Sequence, residues 1–95
     1  MRVILSPSAE DDLQDIWEYT FHRWGHKRAT RYVGDIRARF ERIASGMLTG
    51  QQAGYIRTGY RMIHVEAHTV FFKVDGGAVV VVRILHQRMD VARYL

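Results

Sequence analysis

Gly25 stands between two long stretches of helical periodicity, and that junction constrains the fold more than any other feature. Before it, Ala9, Leu13, Ile16, Trp17, Thr20 and Trp24 recur every three or four residues, the spacing that lines one face of a helix. Ser6-Pro7 supplies the start. Ser6 can cap orphan amides, and Pro7 at the first helical position forfeits no needed hydrogen bond. Glu10, Asp11 and Asp12 follow in the first turns, where the helix dipole favours negative charge. After the glycine, Ala29, Val33, Ile36, Phe40, Ile43 and Met47 form a second stripe with Tyr32 and Ala44 at its edges, predicting a helix from about His26 to Ser45. Glycine accepts the left-handed cap conformation. Two long helices joined by so short a turn must pack as an antiparallel hairpin.

The flanking segments read as strands. Met1–Leu5 is short and apolar, and Gly46 to Gly59 is a glycine-punctuated loop without periodicity. Tyr60–Val65 and Thr69–Val74 follow, separated by a turn at Glu66-Ala67-His68. Asp75-Gly76-Gly77 is a strong hairpin signal, since these residues tolerate positive φ. Ala78–Leu85 is nearly all apolar, as expected of a central strand covered on both faces. Met89-Asp90 can cap a short terminal helix, Val91–Leu95. The expectation is a single α+β domain over residues 1–95, ordered β-α-α-β-β-β, with the hairpin laid across a mostly antiparallel sheet. Trp17, Trp24, Ile36, Phe40, Val80 and Ile84 are the expected core.

Several classes of function fall away. The chain has no Cys, which removes disulfides, thiolate nucleophiles and Cys-based zinc sites. Val3-Ile4-Leu5 is too short for a signal-peptide core, and the longest apolar run, Ala78–Val82, is too short to span a membrane, so a cytoplasmic domain is expected. Fourteen Lys and Arg against ten Asp and Glu give a net charge of +4, and only Lys27 and Lys73 among the cations are Lys. That bias suits bidentate contact with carboxylates and phosphates. Residues 1–24 carry two cations and five anions, whereas residues 25–53 carry six and two. The basic character lies beyond the first helix.

Four constellations are candidates for chemistry. The run Arg83-Ile84-Leu85-His86-Gln87-Arg88-Met89-Asp90 could converge with Arg61 and Tyr94 into the basic-plus-His cluster that RNA cleavage needs. The plainer reading is a strand end whose Arg and His stay solvated or pair with Asp90. His22 with His26, and His64, Glu66 and His68, have superficial metal-ligand spacing, but Gly25 and the expected turn interrupt them, and no metal or other cofactor is expected. Trp17, Trp24, Tyr32 and Phe40 fit a core, while Tyr19 and Phe21 fall beside the stripe and suit a partner surface. The Arg-rich surface fits nucleic acid or an acidic protein, with no recognition helix or stacking platform evident.

Leu5-Ser6-Pro7-Ser8-Ala9-Glu10-Asp11-Asp12-Leu13 after an opening strand resembles the start of the RelE/ParE toxin superfamily. Ile16-Trp17-Glu18-Tyr19-Thr20, Arg23-Trp24-Gly25 and above all Val82-Arg83-Ile84-Leu85-His86-Gln87-Arg88-Met89-Asp90 resemble its ParE branch. The resemblance spans almost the whole chain. It implies the toxin of a type II toxin–antitoxin module that stalls DNA gyrase with cleaved DNA and is not itself an enzyme, so no catalytic residue is assigned. A ParD-like antitoxin would wrap it with an extended and helical C-terminal segment, and operator DNA would be met only through that antitoxin. Under this resemblance Arg57, Arg61, His86, Arg88, Met89 and Arg93 are expected to face the target. Tyr19, Phe21, Tyr32 and the last strand's edge are expected to meet the antitoxin. RelE-like relatives instead cut mRNA in the ribosome with basic residues and often a His or Tyr near the chain end. Arg61, Arg83, His86, Arg88 and Tyr94 lie in comparable places here, though Lys is scarce. The loop Met47 to Gly54 also lacks the Pro and Gly-Arg that many ParE members carry, leaving an inert antitoxin-binding module as a third alternative.

Overall fold

The structure is a computed structural model that describes residues 1–95. Its elements run β1 (Arg2–Leu5), α1 (Pro7–Trp24), α2 (His26–Ala44), β2 (Gln51–Gln52), β3 (Arg61–Val65), β4 (His68–Asp75), β5 (Ala78–His86) and α3 (Val91–Tyr94). The five strands form one sheet in the order β1-β5-β4-β3-β2. Only the β1–β5 pair is parallel. The α+β helical hairpin on a mostly antiparallel sheet is therefore as the sequence predicts, with β2 as an addition.

Local chemistry explains the boundaries. Ser6 Oγ accepts from the Ala9 amide at 3.0 Å, and Pro7 occupies the first turn of α1. Gly25, at φ +93°, ends α1 and begins α2. The helix predicted to reach Ser45 stops at Ala44, and Met47 is 76 % exposed, because Gly46 at φ +85° takes the chain out of helical geometry. Gly50 has a specific reason to be glycine. At φ +72°, a Cβ there would sit 2.7 Å from the Met62 carbonyl oxygen, so a side chain would push β2 off β3.

The helices cover one face of the sheet. Leu13, Ile16, Ile36, Phe40 and Ile43 pack on Ile63, Val65, Val70, Phe72, Val79, Val81 and Ile84. In β5 the helix-facing alternation Val79, Val81 would continue to Arg83, but Val82 is an extra residue opposite the Phe71/Phe72 step and shifts the phase to Ile84. The opposite face buries Ala53, Phe71 and Leu85.

Four expectations need correction. Trp24 is not core: it is 57 % exposed, because the last turn of α1 carries its stripe beyond the sheet. Trp17 is half-buried at the helix surface, stacked on Phe21 at 5.1 Å, and Val80 is half-buried because it pairs with Ile4 on the face away from the helices. The last strand has no free edge. β5 lies between β1 and β4, so the edges belong to β1 and β2.

Candidate functional site

Where β1 ends at Leu5, β5 runs on without a partner on that side, and backbone polar groups there need other bonds. Ser6 answers two of them, its amide donating to Val81 O at 2.9 Å and its hydroxyl to Val82 O at 2.6 Å. Asp12 answers the third, its Oδ2 accepting from the Ile84 amide at 2.8 Å. The same carboxylate receives Arg83 in a fork, from Nε at 2.8 Å and Nη2 at 2.7 Å. Hydrogen bonding to Asp12 raises the Arg83 pKa above its ordinary value, so the guanidinium is permanently charged. It also lies 5.5 Å from the Tyr94 ring. Asp12, not Asp90, is thus the partner of Arg83. Asp90 caps α3 by accepting from the Ala92 amide at 3.2 Å.

Beside this pair, two adjoining hollows of about 340 and 350 Å³ form a groove between the hairpin and the ends of β4 and β5. Tyr19, His68 and His86 line both. Arg28, Arg31 and Tyr32 line one end, and Ile16, Ile84 and Met89 line the other. Tyr32 Oη lies 2.6 Å from His68 Nδ1 and 3.1 Å from Val65 O. With the hydroxyl proton given to Val65 O, His68 Nδ1 is the protonated nitrogen and Nε2 remains an acceptor. Burial, then the neighbouring His86, pushes His68 down to about 4 against the opposing pull of Asp12. Burial, then the charge of Glu66, pushes Tyr32 up to about 12, with the Ala67 amide opposing. At neutral pH both rings are therefore uncharged. The His86 ring stands edge-on to His68 at 5.3 Å, and its Nδ1 accepts from the Arg88 amide at 3.1 Å.

The groove joins residues that the sequence assigns to different partners. Tyr19 and Tyr32 come from the expected antitoxin set, and His86 and Met89 from the expected target set. Phe21, from the antitoxin set, lies on α1 against Trp17. Arg88 and Arg93 are exposed just beyond the end of β5. Arg57 is exposed in the turns before β3, and Arg61 spends its guanidinium on Thr49 O at 2.6 Å and Gly50 O at 3.0 Å. His64, Glu66 and His68 do not assemble into a metal centre. His64 bonds Thr69 at 3.0 Å, whereas His68 bonds Tyr32 across the sheet, on the helix side.

Sequence reasoning gave Asp12 only a helix-dipole role and His68 only a metal-like spacing, and missed what each does in the fold. Asp12 stands three residues after Ala9 and four before Ile16, a carboxylate on an apolar stripe, which is the signal of a paired buried charge. His68 carried no such signal, because its role depends on a strand register that spacing does not reveal.

Residues 3–91 match the family described as ParE toxin of type II toxin-antitoxin system, parDE. A Mycobacterium tuberculosis protein named Toxin ParE1 is 42 % identical, over 99 % of this chain and 97 % of its own length. Toxin ParE1 of Caulobacter vibrioides is 40 % identical, over 96 % and 94 % respectively. Among solved structures, a chain from the chromosomal ParDE TA system from P. aeruginosa shares the fold with a TM-score of 0.78 at 21 % identity, covering 90 % of this chain and 95 % of that one. The chain belongs to the ParE family of type II toxin–antitoxin toxins.

Proposed function

We propose that this toxin acts as a binding protein that stalls DNA gyrase on cleaved DNA, and that an acidic ParD-like antitoxin silences it by occupying the groove. The observation that carries this reading is the match of residues 3–91 to the ParE family. The fold neighbour from P. aeruginosa is described as a ParDE toxin–antitoxin system, which supports an antitoxin partner. The groove supports direct competition, because Tyr19 and Tyr32 line it together with His86 and Met89. An antitoxin segment lying there covers residues that face the target. Exposed Tyr19, Phe21 and Trp24 supply the aromatic area that anchors partners. Arg28 and Arg31 line the same hollow as Asp35 and Glu66 but form an ion pair with neither, which leaves them available to an acidic segment.

On the target side, exposed Arg88 and Arg93 flank His86 and Met89, with Arg57 further along the surface. Arg61 contributes by holding the backbone at Thr49 and Gly50. Operator DNA is met through the antitoxin. The site of action is the cytoplasm, and no helix here is long and apolar enough to cross a membrane.

One observation favours an mRNA endonuclease instead: Tyr32, His68 and His86 lie together in the groove, side chains of the kinds that serve as acid and base in RNA cleavage. Against it, two of the arginines that match the RelE-like pattern are already engaged, Arg83 by Asp12 and Arg61 by loop carbonyls, so neither is free to stabilise a phosphate. Two parallel assays test the readings. Purified protein added to gyrase supercoiling reactions should accumulate gyrase–DNA cleavage complexes, and added to translating ribosomes it should leave mRNA intact. Cut mRNA with normal gyrase turnover reverses the assignment. In the same assays His86→Ala should weaken inhibition only several-fold, whereas a nuclease would lose most of its rate. Absence of growth arrest on expression of the chain alone would point to an inert antitoxin-binding module.

A further inference from the structure

The C-terminal helix α3 spans only Val91–Tyr94 and buries none of its residues. So short and exposed a helix has little intrinsic stability and needs tertiary contacts to stay in place. At its start, the Met89 amide donates to His86 O at 2.9 Å and Asp90 caps the turn. At its end, Arg83 reaches over from β5, its guanidinium 5.5 Å from the Tyr94 ring and its Nη1 3.4 Å from Tyr94 O. Arg83 is itself immobilised by Asp12 on α1, seventy-one residues away in sequence. The ion pair is more than the unpaired strand requires. A neutral acceptor at position 12 would satisfy the Ile84 amide without drawing a guanidinium to it.

We infer that the Asp12–Arg83 pair is a positioning device: it fixes the Arg83 guanidinium as a platform on which Tyr94 rests, and so orders the segment bearing Arg88, Met89 and Arg93. Through this relay α1 and β5 set the pose of a segment that contributes almost nothing to the core. Ordering it in advance removes an entropic cost from any encounter that uses it. The functional half of this inference rests on the proposed target-facing role of Arg88, Met89 and Arg93. Asp12 and Arg83 are positioning residues acting through Tyr94, not groups that touch the target.

Backbone 15N order parameters of the purified chain test the device without reference to any target. In the unmodified protein, residues 90–94 should be ordered close to the rigid-backbone value of roughly 0.85, and in Arg83→Lys and Tyr94→Ala they should fall towards about 0.6 or below. Lysine keeps the charge but loses the fork, and Tyr94 is exposed enough for its removal to leave the fold intact. Values within α1, α2 and β4 should not move, and Tyr94→Phe, which keeps the ring, should restore order. Low values already present in the unmodified chain, or no change in either variant, would overturn the inference. Gyrase poisoning is then measured on the same samples. A several-fold loss in Arg83→Lys and Tyr94→Ala, recovered in Tyr94→Phe, supports the relay as a determinant of toxicity. A loosened segment with unchanged poisoning upholds the relay and overturns the target-facing role of Arg88, Met89 and Arg93.

Discussion

Arg83 and Arg31 carry the same charge in two regions that treat it differently. Arg83 sits at the junction of α1 and β5, its side chain 20 % exposed, and gives both arms of its fork to Asp12. Arg31 lies on α2 with Arg28 and Arg42, all exposed and none within ion-pair distance of a carboxylate. Of fourteen Lys and Arg side chains, Arg83 alone closes an ion pair inside the fold. The difference separates two uses of arginine. At the junction, the charge is partly withdrawn from water and must be paired, so its partner is a structural necessity. On α2, the charge stays solvated, costs the fold little, and remains free for an acidic partner.

The largest effect should come from breaking the junction. Asp12→Ala strands the Arg83 guanidinium and the Ile84 amide together, and should cost about 2–4 kcal/mol in urea unfolding. Replacing both members by apolar residues, as in Asp12→Leu with Arg83→Met, should recover part of that loss, because no charge is then left unpaired. A double variant as unstable as Asp12→Ala would show that the loss lies elsewhere.

A smaller and pH-dependent effect belongs to the groove between the two regions. His68 is held near 4 in the folded chain against 6.5 for an exposed imidazole. Between those values the unfolded chain binds more protons, so stability rises with pH across this window. It is fully present above about pH 6.5 and declines as pH falls towards 4, by on the order of 1–2 kcal/mol once solvent screening is allowed for. His68→Gln should flatten this slope in unfolding curves recorded between pH 4 and 7.

The smallest stability effect should come from α2. Arg28→Gln, Arg31→Gln and Arg42→Gln should each change unfolding free energy by less than about 0.5 kcal/mol. Combined, they should slow association with the proposed acidic antitoxin by roughly tenfold at low salt, a difference that shrinks as salt is added. Unchanged association rates in stopped-flow mixing would mean that these arginines serve no acidic partner.

Much of the fold was legible because its signals are local. Ser6-Pro7, Gly25 and Asp75-Gly76-Gly77 each impose a backbone conformation on their own, and the two helical stripes follow from side-chain periodicity. What escaped depends on distant pairing. The parallel docking of β1 on β5, the extra residue Val82 and the two-residue strand β2 leave no periodic trace. The site was legible in parts only. Tyr19, Tyr32, His86 and Met89 were singled out as residues, but their meeting in one groove required the register that brings His68 beneath Tyr32. Trp24 misled because helical spacing does not reveal where a helix outruns the sheet it covers.

If, as proposed, one groove serves both partners, antitoxin and gyrase exclude each other. Titrating antitoxin into a preformed complex of gyrase and this toxin, with bound toxin followed by gel filtration, tests it most directly. Toxin should leave gyrase as antitoxin approaches one equivalent, with no species containing all three proteins. A stable ternary complex in which gyrase remains poisoned would contradict it.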